Sequence, residues 1–136
     1  MPYFGRDSSD RLETCHPDLQ RLFREVVQQV DCAILCGHRD QAEQMRVYRE
    51  GLSQLWYPRS KHNLIPSMAV DVAPFHAKKP HVRWQDKDSW YFFGGYVKGV
   101  ADQMGIRIRW GGDWQGDGDL RNSTLIDLPH WETTLV

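Results

Sequence analysis

The chain has 136 residues, 40% of them apolar, with 17 Lys plus Arg against 18 Asp plus Glu and a formal net charge of −1. A chain this long buries roughly 68 to 70% of the surface it exposes when unfolded, which supports one hydrophobic core and argues against a second domain. The near-zero charge supplies no field to draw in a polyanion, so nucleic-acid binding is disfavoured. No apolar run approaches the roughly 18 residues of a membrane span, and membrane insertion is not expected. Met1-Pro2-Tyr3-Phe4-Gly5-Arg6 lacks the layout of a secretory signal, and the expectation is a soluble cytosolic protein. Cys15, Cys32 and Cys36, an odd set without C-x-x-C spacing, read as reduced and mostly structural.

In chain order, Leu19, Leu22, Phe23, Val26, Val27 and Val30 fall on one helical face, which predicts a helix over Asp18–Val30 started by Pro17 and Asp18. Asp31–Cys36 suits a buried strand ended by Gly37, and Asp40–Glu50 a second helix capped by Asp40 and closed by Gly51. Leu52–Pro66 has no clean period and reads as loop. Ser67–Ala73 alternates, with Met68, Val70 and Val72 on one face and Ala69, Asp71 and Ala73 on the other. Pro74–Gln85 is loop, and Asp88–Met104 a third helix that Gly94, Gly95 and Gly99 weaken. Ile106–Trp110 alternates as a strand, with Arg107 and Arg109 facing solvent or a cleft. Gly111–Asn122 is a Gly/Asp loop, and Leu125–Leu135 a last strand broken by Pro129. Helices and strands interleave without a regular βαβ repeat, which predicts a single α+β domain spanning 1–136.

Three segments hold the residue types that one metal site needs. They are Gly37-His38-Arg39, Ser60-Lys61-His62 leading to Asp71, and Asp127-Leu128-Pro129-His130-Trp131-Glu132. Two imidazoles and a carboxylate form a three-ligand zinc site that keeps a position open for water, which is the catalytic arrangement. Asp71 lies among alanines that leave room for an ion. Pro129 denies a helix, so Asp127 and His130 meet one site only if the chain bends between them. An aspartate beside the water can take its proton and pass it on. Arg39 can polarise a carbonyl or hold a substrate carboxylate.

Ser60-x-His62 running into Ala69-Val70-Asp71, the Arg39 segment, Trp110-Gly111-Gly112-Asp113-Trp114 and Asp127-x-Pro129-His130-Trp131 together resemble the zinc peptidoglycan peptidases of the D-alanyl-D-alanine carboxypeptidase family. The chain looks most like the phage L-alanyl-D-glutamate endopeptidases that serve as endolysins. The resemblance implies a small antiparallel sheet with flanking helices and a zinc site in a cleft on the sheet. It also implies His62, Asp71 and His130 as Zn2+ ligands, Asp127 as general base, Arg39 as stabiliser of the carbonyl or transition state, and Ser60 as a supporting hydrogen-bond donor. The expected substrate is the bacterial peptidoglycan stem peptide, cut between L-alanine and D-glutamate. The expected protein is a monomer without a separate wall-binding domain, held in the cytoplasm of the infected host until the membrane opens. A D-alanyl-D-alanine carboxypeptidase and a non-catalytic zinc-stabilised binding module are the alternatives. The family's spacing between the first His and the Asp is two residues shorter than that between His62 and Asp71, a loop insertion that chain entropy tolerates.

Around this set, His16, His38, His76 and His81 read as exposed loop residues. Trp114 and Trp131 are placed near the site as an aromatic wall. Glu132 reads either as a partner of the metal ligands or as a solvent-facing strand residue. Asp113, Asp117 and Asp119 do not fit a calcium loop and read as part of a mobile loop beside the cleft.

Overall fold

The structure is a computed structural model and describes residues 2–121 and 126–134. Its helices are α1 (Arg6–Glu13), α2 (Pro17–Val27), α3 (Gln41–Arg49) and α4 (Lys87–Gln103), and its strands β1 (Cys32–Cys36), β2 (Ala69–Pro74), β3 (Ile108–Trp110) and β4 (His130–Thr133). The strands form one antiparallel sheet in the order β1-β2-β4-β3, so the expected α+β class with flanking helices is the observed one.

The apolar stripe of α2 lands where its period places it, with Leu19, Leu22, Phe23, Val26 and Val27 buried. Together with Phe93, Val97 and Ala101 of α4 it covers one face of the sheet, packing on Ile34, Val70, Val72, Trp110 and Trp131. α2 ends at Val27, short of the expected Val30. It begins behind His16, whose ring accepts from the Asp18 N–H at 3.0 Å, so His16 is a helix cap and not an exposed loop residue. His38, His76 and His81 are half-buried rather than exposed.

α1 is an element that apolar periodicity does not reveal, because Leu12 is its one buried residue. Its role is polar. Ser8 Oγ accepts from the Ile34 N–H at 3.0 Å and Arg11 donates to the Ile34 carbonyl at 3.0 Å, which satisfies the outer edge of β1.

α4 runs unbroken through its glycines because Gly94 is a packing device. The Trp110 ring lies against Gly94 and Gly112, stacks on Trp131 at 5.3 Å and donates its Nε1–H to the Leu128 carbonyl at 2.7 Å. Gly95 faces open space. The last strand is only His130–Thr133, and the expected ends at Leu125 and Leu135, like Asn122, lie outside the described residues.

The two adjacent glycines therefore respond with opposite sign. Gly95→Ala stabilises by about 0.5–1 kcal/mol through helix propensity. Gly94→Ala, whose methyl collides with Trp110, destabilises by about 1–3 kcal/mol in urea denaturation.

Candidate metal centre

The open face of the sheet is organised by register. β1 pairs with β2 through Cys32↔Pro74, Ala33↔Ala73 and Ile34↔Val72, and an irregularity after Ile34 then places Cys36 opposite Asp71. Across the next pairing Asp71 faces His130. Cys36, Asp71 and His130 thus form one row over three strands. The neighbouring row is Ala69, Glu132 and Arg109.

His62 reaches this row from a 3-10 turn, Lys61–Asn63. Ser60 Oγ accepts from the His62 N–H at 3.2 Å, and the Asn63 side chain accepts from the Ser60 N–H at 3.0 Å. Ser60 thus serves this turn as an acceptor and cap. The longer stretch to Asp71 is absorbed outside the site. Leu64 and Ile65 are exposed, while Ser67 returns to the scaffold by bonding Thr14 O and His16 N at 2.9 and 2.8 Å.

Both imidazoles are anchored by one nitrogen and present the other to Asp71. His62 Nδ1 lies 2.7 Å from the Gly37 carbonyl, which has no hydrogen to give, so Nδ1 is the donor and Nε2 faces Asp71 Oδ1 at 3.3 Å. His130 Nε2 donates to Glu132 Oε1 at 2.9 Å, leaving Nδ1 3.5 Å from the same Asp71 oxygen. The His62 Nε2 and Asp71 Oδ1 atoms are buried without a hydrogen-bond partner among the described residues. A tetrahedral zinc with bonds of about 2.0–2.1 Å has donor–donor edges of roughly 3.4 Å. The 3.3 and 3.5 Å separations from Asp71 Oδ1 are close to such an edge.

Cys36, read from sequence as structural, also belongs to this neighbourhood. One donor atom from each of Cys36, His62 and Asp71 lies within 4.8 Å of the others, and this group is competent to bind a metal ion. Its Sγ sits 3.9 Å from His62 Nδ1, the nitrogen already given to Gly37. Strict alternation from Ile34 would have sent Cys36 into the core; the irregularity in β1 brings it opposite Asp71.

The charges reinforce one another. Burial opposes a charged His62, but the Asp71 carboxylate outweighs it and raises the pKa to about 10. Burial likewise acts against ionised Asp71, and His62 with His130 reverses that and holds it well below the usual carboxylate range. For His130 too, burial is overcome by Asp71 and Glu132 and the pKa rises. Glu132 falls to about 2, since bonds from His130 and Lys61 override its burial. Glu132 is thus a buried partner of His130 and Lys61 and not a solvent-facing strand residue.

Asp127 precedes β4 in a turn closed by the His130 N–H on its carbonyl at 3.1 Å, and its own N–H bonds Gly111 O at 2.9 Å. A side chain on Gly111 would strike the Asp127 carbonyl, which explains that glycine. The Asp127 residue is exposed, yet loss of hydration at its carboxyl, then the charge of Asp71, raise its pKa, with His130, His62 and Arg39 acting against them. Arg39, whose side chain is 12% exposed, sets Nη2 3.5 Å from Asp71 Oδ2 and donates from Nη1 to Gln44 Oε1 at 2.9 Å. Gln44 is fully buried and also accepts from Asn63 and donates to Ser53 Oγ and the Leu55 carbonyl. Nothing in the sequence pattern marks Gln44 beyond its place in a helix.

Of the aromatic wall, Trp114 lies 5.3 Å from His130 with Arg109 over its ring, as expected. Trp131 does not join it. Strand alternation turns Trp131 to the opposite face, where it is fully buried against Trp110 and Phe23. The Gly/Asp loop is pinned at its start rather than mobile there, because buried Asp113 pairs with Lys98 at 2.7 Å and accepts from the Gly118 N–H at 2.9 Å.

A four-stranded α+β scaffold with a His/Asp donor cluster on its open face, an arginine beside it and a carboxylate of raised pKa at its rim defines a peptidase domain with a metal-competent centre. The family model for phage L-alanyl-D-glutamate peptidase matches residues 2–134, and the chain belongs to that family. It is 31% identical over 119 residues to the L-alanyl-D-glutamate peptidase of Escherichia phage T5, covering 85% of this chain and 84% of that protein. The crystal structure of Serratia marcescens L-Ala D-Glu endopeptidase ChiX superposes with a TM-score of 0.76 at 32% identity, covering 97% of this chain and 90% of that one.

Gln44→Met removes a buried acceptor shared by Arg39 and Asn63, and two donations to the following loop. It lowers stability by about 2–4 kcal/mol in urea denaturation.

Proposed function

We propose that this protein is a zinc-dependent endopeptidase that hydrolyses the L-alanyl-D-glutamate bond of peptidoglycan stem peptides and so lyses the host cell. The observation that carries the zinc assignment is the convergence of His62 Nε2 and His130 Nδ1 on one Asp71 oxygen, each ring anchored through its other nitrogen. His62, Asp71 and His130 would hold the ion, which supplies Lewis acidity toward water and the scissile carbonyl. Asp127, with its pKa raised, takes the proton of the attacking water and returns it to the departing D-glutamate amine. Arg39 faces the oxyanion that develops on the carbonyl, held for that task by Gln44. Ser60 shapes the His62 turn, and Trp114 lines the cleft on the His130 side.

All of these groups come from one catalytic domain, which supports action as a monomer. Membership of a phage family supports accumulation in the cytoplasm of the infected host, with access to the wall after the inner membrane opens. Among the described residues no helix is long and apolar enough to cross a membrane.

Asp127→Ala retains zinc and loses about 10²–10⁴-fold in turnover, whereas His130→Ala loses zinc, measured by metal content and by mass spectrometry of digested peptidoglycan. A newly freed D-glutamate amine is the expected product. Released D-alanine, or full activity in Asp127→Ala, would overturn the reading. Because zinc requires deprotonated ligands and both histidines have raised pKa values, affinity climbs with pH through neutrality and on toward the His62 value of about 10. Binding then releases about one proton or more near pH 7, read by calorimetry in buffers of different ionisation enthalpy.

A further inference from the structure

We propose that Lys61 is a positioning residue of the metal centre, an ionic strut between the turn that carries His62 and the strand that carries His130. The inference rests on the donor set proposed above. Lys61 directly precedes His62, and its ammonium lies 2.8 Å from Glu132 Oε2 and donates to the Thr133 carbonyl at 3.4 Å. The other oxygen of Glu132 holds His130 Nε2 at 2.9 Å. One carboxylate, on a residue 7% exposed, therefore joins Lys61 to His130 through its two oxygens.

The base of the strut is fixed as well. The Lys61 carbonyl accepts from the Met68 N–H at 3.1 Å, which ties the turn to the start of β2. A turn of three residues has few hydrogen bonds of its own to hold a side chain in place. Among the described residues, the polar contacts that cross from this turn to β4 are those of Lys61.

Chemistry explains why a cation is needed there. A carboxylate largely removed from water keeps its charge and orientation only when paired. Without Lys61, Glu132 retains Arg109 at 3.9 Å, a half-exposed side chain committed to Trp114 by donation to its carbonyl at 3.0 Å. Glu132 then has reason to turn toward solvent, releasing the His130 N–H that directs Nδ1 at Asp71. The role is distinct from that of Ser60, which shapes the turn internally; Lys61 sets its position relative to β4.

The test is the zinc affinity of the full chain by competition with a chromophoric chelator, alongside thermal unfolding of chelator-stripped protein. Lys61→Met weakens zinc about tenfold, and Lys61→Arg recovers it to within about threefold. Stripped Lys61→Met unfolds a few degrees below the parent, because its nearly buried Glu132 carboxylate loses a cation, yet it stays folded at the temperature of the zinc titration, and Lys61→Arg unfolds with the parent. In a Glu132→Gln background, Lys61→Met adds less than about twofold, because both act on one path. Parental zinc affinity in Lys61→Met, or an equal loss with and without Glu132, overturns the strut and leaves the peptidase reading standing. A parent chain that binds no zinc overturns the donor set, and the strut with it.

Discussion

The pairing of β2 with β4 is the constraint on which the rest of the molecule depends. It sets Asp71 beside His130 and Val70 beside Trp131, and because side chains alternate along a strand, one register fills both faces at once. Val70, Val72 and Trp131 go down into the core under α2 and α4, while Asp71, His130 and Glu132 go up to the site. A slip of one residue would bury the ionisable row and expose the tryptophan, so the hydrophobic core enforces the geometry of the centre. Burial of Trp131 and its stack on Trp110 belong to the same device, since Trp110 anchors the segment before β4 through its bond to Leu128 O.

The sequence makes this register legible only in part. The alternation of Met68 to Ala73 identifies the face that carries Asp71, and the apolar stripe of α2 identifies the helix that covers the other, because both are periodic burial patterns. The motif around Asp127 and His130 marks the site, and its resemblance to the peptidase family matches the family that the chain belongs to. Other features escape because they are made by tertiary polar contacts. α1 buries a single leucine and exists to satisfy the β1 edge; Gln44 is an ordinary helix residue until the loop after α3 folds over it. Adjacency to His130 suggests a place for Trp131 at the site, although the same alternation that locates Asp71 turns it into the core. Cys36 depends on an irregularity in β1 that composition does not announce.

Gathering Asp71, His62, His130 and Glu132 at low exposure carries a desolvation cost, and isolated buried ions of this kind are destabilising. Two features offset it here. Each charged group faces an opposite one, so the pKa values of the acids fall and those of the histidines rise in concert. The cost is also confined to one face of a sheet whose other face is almost wholly apolar. The scaffold can therefore hold a strongly interacting polar cluster rigid without asking that cluster to stabilise the fold.

The two histidines are not held alike, and the difference bears on the donor set proposed for them. His62 gives its N–H to a neutral carbonyl at 2.7 Å, which fixes the tautomer and little else. His130 gives its N–H to a carboxylate at 2.9 Å, which also makes the opposite nitrogen more basic. The carboxylate-backed ring thus lies on β4, beside Trp114 and three residues beyond Asp127, where proton transfer takes place in the proposed reaction. The sterically locked donor lies on the turn, fully buried and backed by Cys36. One half of the centre is built for rigidity and the other for electronic tuning, and Asp71, shared by both, couples them.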